Sequence, residues 1–296
     1  MIARLKQIVS VGVLLNAFGG LSHADEKVDE WRTVSATGSI RVDCVRGDLN
    51  ILGWDRAEIH VAGSLDDLAE RLHFEVEGDQ TLIRVVLDGE GGNWGDGSDL
   101  VIHVPAQSRL QVEAVSADIE IADVKGPVAV RTVSGDIDAE RLGEQTRIST
   151  TTGDVTLTGS GGRVKVVTAS GDATLDLSAT DVSVDTVSGE VELELEAFDS
   201  VMANTVSGEL EIEGQLNPEG RVAGTTVNGD IDLRLEEPVN AGLDIRTGSG
   251  GEIDNALSDE PVQKIPGALI LRTSLGDGSG GIRLSSVNGE IRLEGR

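Results

Sequence analysis

A carboxylate returns at fixed intervals along this chain. The phrase T-V-S-G-D, with small variations, places an acid directly after a glycine at Asp136, Asp154, Asp172, Glu190, Glu209 and Asp230; Asp118 and Glu290 hold the same place after Ala117 and Gly289. Two residues further on, Glu120, Asp138, Glu192, Glu211 and Asp232 make a second acidic series. Carboxylate oxygens are hard ligands, and Ca²⁺ takes six to eight of them at close range. From Ala114 to Arg234 there are 23 acids against 8 bases. Stacked about 4.8 Å apart, neighbouring carboxylates repel by roughly 1 kcal/mol even in bulk water. Salt, divalent cations or a basic partner would offset that cost. The candidate cation site is therefore the ladder Asp118, Asp136, Asp138, Asp154, Asp172, Glu190, Glu192, Glu209, Glu211, Asp230 and Asp232, taking Ca²⁺ or a polycation. The plainer reading is a solvated strand face whose charge keeps the protein soluble and blocks sheet stacking, which is what charge runs usually are.

Other chemistry is poorly represented. His60, His73 and His103 stand alone on strand-like segments, and no metalloprotease, nucleophile-elbow, CxxC, phosphate-loop or dinucleotide motif is complete. GGNWGDGSDL, from Gly91, resembles a Ca²⁺-binding nonapeptide once and out of register. The formal charge of −28, without a cluster of Lys and Arg, excludes nucleic acid as a partner. A polysaccharide-cleaving β-helix would use carboxylates in an aromatic-lined cleft. Here Tyr is absent, aromatics are 2%, and Trp31, Trp54 and Trp94 lie outside the regular repeats. No catalytic residue and no cofactor other than Ca²⁺ is assigned, and the expectation is a non-enzyme.

The elements that position the acids follow from the period. The glycine slot falls at Ala117, Gly135, Gly153, Gly171, Gly189, Gly208, Gly229, Gly250 and Gly289, with spacings of 18, 18, 18, 18, 19, 21, 21 and 39. Between slots, β-branched residues alternate with polar ones: Val128 and Val130 against Arg131, Ile137 and Ala139 against Asp136 and Asp138. That alternation predicts half-buried strands. Two short strands per repeat, stacked in register, predict an all-β fold: a parallel β-solenoid of roughly 18–21-residue coils, wound right-handed as parallel crossovers nearly always are. Parity assigns Thr132, Val133, Ile137 and Ala139 to the interior, with a bend between Thr132 and Val133, and Ser134, Asp136 and Asp138 to solvent. Gly135 fills an inward place where no side chain fits, or takes a φ other residues avoid. The inward column Thr132, Thr150, Thr168, Thr186, Thr205, Thr226 offers hydroxyls that can hydrogen-bond along the stack. An outward Thr ladder of the ice-binding kind is disfavoured by the same parity.

Residues 1–24 read as a secretory signal peptide: Arg4 and Lys6, an apolar run from Ile8 to Phe18 too short to span a bilayer comfortably, then Ser22-His23-Ala24. An uncleaved N-terminal anchor is the competing reading. No later stretch is long and apolar enough to cross a membrane, so no transmembrane segment is expected in the mature chain, which is placed in the periplasm or at the cell surface. Cys44 is the only cysteine and is expected to be a small buried residue where the repeats carry their inward Thr, CVRGDLNI being a weaker upstream copy. Residues 25–110 are expected to form an irregular N-terminal β region that starts the stack and covers its end, with a hairpin across Glu77-Gly78-Asp79-Gln80; residues 111–296 continue as the repeat solenoid.

Four segments carry a resemblance to a known family: the T-V-S-G-D/E repeats, GDLNILGWDRAEIHV (Gly47 to Val61), DLVIHVP (Asp99 to Pro105) and GSGGIRLSSVNGEIRL (Gly278 to Leu293). Together they cover most of residues 31–296. The chain resembles the bacterial domain-of-unknown-function family of adhesin-like proteins with β-strand repeats. The resemblance implies an exported β-solenoid-like domain and brings no catalytic residues. This chain departs from the family in its acidic outward positions and in an insertion near Pro261 to Pro266. The expected function is an adhesin-like interaction or scaffold module of the cell envelope, with an envelope or surface protein or a polycation as partner.

Overall fold

The computed structural model describes residues 27–87 and 97–296. The expected signal peptide, Trp94 and most of the glycine-rich loop lie outside them. The described residues form strands and turns only, with no helix, and no segment among them is a helix long and apolar enough to cross a membrane.

Alternation builds the coil. In the repeat around Gly135, Val128–Arg131 and Ile137–Glu140 are strands joined by a corner at residues 132–136. Val128, Val130, Ile137 and Ala139 are at most 3% exposed, while Arg131, Asp136, Asp138 and Glu140 are exposed. Each strand lies parallel to its equivalent in the next repeat: Ile137 faces Val155 and Val128 faces Thr146, 18 residues on. The offset widens to 19 between Val191 and Leu210 and to 21 between Leu210 and Ile231. Each coil thus has a first side, before the corner, and a second side, after it. The inward residues of both join one hydrophobic cluster. Burying one such Val, Leu or Ile stabilises by roughly 1.5–3 kcal/mol, which makes the stacked interior the main source of stability in a chain without disulfides.

The layers do not follow chain order at either end. Ser39–Trp54 pairs on one edge with Arg109–Ala122 and on the other with Gln80–Leu87 and Ser98–Pro105, so the first coil is the second layer of the stack. The mirror image occurs at the C-terminus. Gly280–Ser285 and Glu290–Gly295 lie between the layer of residues 221–235 and the layer of residues 241–255. The 39-residue gap therefore holds the end of the outer coil and an antiparallel return before the chain re-enters one layer further in. Eleven parallel strands line the second side, a stack of roughly 50 Å at 4.8 Å per step. Antiparallel strands close both ends: Ala69–Glu77 on Gln80–Leu87, Glu58–Ser64 and Lys27–Thr33 beside Ser98–Pro105, and Ala268–Ser274 with Gln263–Ile265 beside Ala241–Gly248. The expected hairpin is present, with Glu77 facing Gln80. Three of the four terminal ladders are thus covered, which shields edges that would otherwise pair with another chain; Glu252–Asn255 pairs only with Glu290–Gly295.

The corner corrects three expectations. Val133 is 52% exposed, not inward; Val115, Val187, Val206, Val227 and Val287 are 38–52% exposed in the same place. The parity change is spread over residues 133–136, so only Thr132 turns in. The inward hydroxyls do not chain along the column. Thr132, Thr150 and Thr186 donate to the carbonyl two residues on (2.8, 3.1 and 3.4 Å), Thr226 alone reaches a carbonyl of the neighbouring layer, that of Gly208 at 3.5 Å, and the Thr168 and Thr205 hydroxyls find no partner. The slot in the outer coil belongs to Gly251, not Gly250: a Cβ on Gly251 would lie 2.3 Å from the Gly289 carbonyl, and one on Gly250 meets nothing. The phrase has gained one residue there, which a fixed T-x-x-G spacing cannot register. For the slot itself both expected reasons hold. Gly171 has φ +137°, and a Cβ on it would lie 2.2 Å from the Gly153 carbonyl oxygen.

Cys44 is 4% exposed and continues the Thr column through Ala114. Its Sγ donates to the Arg46 carbonyl at 3.3 Å, the bond the threonines make. Burial pushes the thiol up to about 11.

Candidate functional site

All eleven expected ladder acids lie on the outer face of the second side, because every one alternates with an inward Ile, Leu, Val or Ala of the same strand. Register extends the column beyond them. Asp99 faces Asp48, Asp48 faces Asp118, and Glu290 faces Glu252. The slot therefore carries an unbroken series of eleven acids, one per layer: Asp99, Asp48, Asp118, Asp136, Asp154, Asp172, Glu190, Glu209, Asp230, Glu290 and Glu252. Sequence spacing missed Asp99 and Asp48, which enter through layers stacked out of chain order, and Glu252, where the inserted residue shifts the slot. The phrase RGDLNI around Asp48 was the one available signal.

The aspartates are tied into the backbone. Oδ1 of Asp118 accepts the Asp136 N–H at 2.9 Å, Asp136 that of Asp154 at 2.9 Å, Asp154 that of Asp172 and Asp172 that of Glu190, both at 2.8 Å. Asp230 accepts the Glu290 N–H at 2.7 Å. The corner leaves an amide without a ladder partner, and a one-methylene carboxylate reaches it from the layer before. Glu190 and Glu209 make no such bond to the amide above. The short side chain thus does a structural task, and the second oxygen stays in solvent.

The two neighbouring outward rows hold Glu120, Asp138, Glu192, Glu211, Asp232 and Asp254, then Glu140, Asp176, Glu194, Glu213 and Glu294. Counted over the eleven layers of the three rows, there are 22 acids and two bases, Arg234 and Arg292. Both arginines sit toward the C-terminal end. Arg292 reaches Asp232 at 3.0 Å and Glu290 at 2.9 Å, and Arg234 binds Glu211 and, at 3.3 Å, Glu294. Partial burial, ahead of its acidic neighbours, raises the Glu209 carboxyl; burial also raises Asp232 against the opposing pull of Arg292. Among the described residues no three His, Cys, Asp or Glu groups converge in a way that would hold a metal ion. A straight row of side chains presents oxygens in line, not around a point.

At the N-terminal end the same face becomes concave. A hollow of about 1010 Å³ lies between Lys27, Asp29 and His60 on the covering strands and Asp48, Asp99, Asp118, Glu120, Asp136 and Asp138 on the layers. Burial first, then a hydrogen bond with Asp99 and the charges of Asp99, Asp118 and Glu120, push the Asp48 carboxyl above the ordinary aspartate value. Beside the hollow, the histidines expected to stand alone meet instead. His60 faces His103 across an antiparallel pair, their rings 5.8 Å apart. Trp31, 47% exposed, stacks on His60 at 3.9 Å, and Trp54 lies 4.8 Å from His103. His60 Nε2 is 2.8 Å from Asp29. Burial first, then the charges of His60 and Arg56, hold the His103 imidazole below its ordinary value. Local sequence could not reveal this cluster, since it forms across strand pairings, with His103 brought in from a strand some forty residues on.

No curated protein matches the chain. Among solved structures it is similar to a putative adhesin from Bacteroides fragilis NCTC 9343 (12% identity, 93% of this chain and 100% of that one, TM-score 0.47). It is also similar to a putative adhesin from Parabacteroides merdae ATCC 43184 (12%, 91% and 99%, 0.39) and to a putative cell adhesion protein from Clostridium sporogenes ATCC 15579 (11%, 92% and 100%, 0.28). At these scores the likeness carries no weight for function. The family model for Toastrack DUF4097, a β-solenoid-type fold, matches residues 40–294, which span both reordered ends of the stack and the whole acidic column, so the chain belongs to the Toastrack DUF4097 family.

Proposed function

We propose that this protein is exported and serves at the cell envelope as a non-enzymatic interaction module, wound right-handed, whose acidic second side takes a basic partner. One observation carries the reading: 22 acids against two arginines over eleven layers of a single face. A linear array repeating every 4.8 Å suits an extended polycation, whose charges repeat along a line, better than Ca²⁺, which needs oxygens gathered around one point. Charge at this density also speeds encounter with a basic surface and makes the complex salt-sensitive. The test is titration of a ten-residue lysine peptide into the mature chain at several salt concentrations. Binding that weakens steeply with salt and drops in the triple variant Glu190→Gln, Glu192→Gln, Glu194→Gln supports the reading. Binding indifferent to both, or none, overturns it.

A further inference from the structure

The bases of this acidic chain are segregated on the first side. Across its eleven layers the three outward rows hold ten bases, among them Arg41, Arg84, Arg131 and Arg283, against five acids. Arg109, Arg147, Arg163 and Lys165 surround a groove of about 320 Å³. Register gives it shape. Pro127 and Ala129 provide a floor of short side chains, Arg109 and Gln111 stand in the layer below, and Gln145 with Arg147, then Arg163 with Lys165, stand in the two layers above. No carboxylate lines it. Arg163 and Lys165 meet Asp181 and Asp185 only on the far side, at 3.4 and 3.3 Å, and among the described residues Arg109 and Arg147 have no ion pair.

We propose that this groove binds a phosphate group. Three guanidiniums and an ammonium around one depression exceed what a single-charge carboxylate would balance; a phosphate offers more charge and several acceptor oxygens for the planar forks of Arg. The net charge of −28 does not forbid it. The nearest acids, Glu144 beside Gln145 and Glu113, whose Oε1 accepts from Gln111 Nε2 at 2.8 Å, stand outside the lining, where solvent and salt screen them. The sign of the groove is set by its own side chains. The proposal is independent of the acidic side, and the two can fail separately.

The experiment uses the mature chain at physiological salt with two probes: inorganic phosphate, followed by melting temperature against chloride at matched ionic strength, and sedimentation with vesicles one-third phosphatidylglycerol against pure phosphatidylcholine. Specific stabilisation by phosphate identifies a free phosphate ligand; selective pelleting with phosphatidylglycerol identifies a headgroup. In either case Arg147→Gln with Arg163→Gln should weaken binding at least tenfold, while Arg283→Gln on the same side leaves it unchanged. These side chains are outward, and circular dichroism checks that the variants fold. No response to either probe, or a response the double variant retains, overturns the proposal.

Discussion

Asp154 separates the structural task of the acidic column from its electrostatic cost. Its Oδ1 accepts the Asp172 N–H at 2.8 Å, and its own N–H donates to Asp136 at 2.9 Å. Its acidic neighbours stand one layer away on either side, about 4.8 Å along the stack. In bulk water each neighbour repels by about 0.9 kcal/mol, and screening at physiological salt leaves roughly half of that. Asp154→Asn removes both repulsions and keeps an acceptor oxygen of the same reach, so it should stabilise by about 1 kcal/mol at physiological salt and by almost nothing at 1 M salt. Asp154→Ala removes the repulsions and the acceptor together. The orphaned amide costs roughly 1 kcal/mol, so this variant should be near neutral at physiological salt and destabilised by about that amount at 1 M. The assay is urea unfolding followed by far-ultraviolet circular dichroism at the two salt concentrations. The gap between Asn and Ala should stay constant with salt while both move relative to the parent. If Asn destabilises as much as Ala, the hydrogen bond is not what the side chain supplies; if neither moves with salt, the column carries no repulsion.

Two further outcomes follow from the interior. Gly171→Val forces a Cβ to within 2.2 Å of the Gly153 carbonyl at φ +137°, and should cost several kcal/mol, about 3 or more, from steric and backbone strain together; urea unfolding that matches the parent would refute the slot. The Cys44 thiol, raised from 9.0 to about 11 by burial, stays protonated in the folded state at pH values where the unfolded chain has lost the proton. Stability should therefore fall as pH rises through 9 toward 11, by a total approaching about 3 kcal/mol. The chain has no Tyr to obscure the titration. Cys44→Thr, which restores the residue of the column, should fold normally and lose that pH dependence, measured as the difference in unfolding midpoint between parent and variant.

The sequence by itself determined the coil. A period of 18, alternation of β-branched and polar residues and a glycine before each acid are local features, and they are enough to fix strands, their stacking, the burial of Cys44 and the outward acids. Strict parity failed at Val133 because a corner is not a flat strand; over four residues the backbone turns, and inward and outward lose their period-two meaning. The spacing failed at Gly250 because an inserted residue shifts the slot without changing the layer. Only the tertiary structure decided the order of layers. Which coil lies on which depends on how the ends of the stack are covered, and the chain solves this by placing its first and last coils one layer in from the ends. That choice extends the acid column to Asp48 and Asp99 and brings His103 against Trp54 and His60. Such neighbours are made by strand register between segments stacked out of chain order, which no spacing along the chain encodes; Arg109, Arg147, Arg163 and Lys165 stand in consecutive 18-residue layers, so their grouping follows from the period itself.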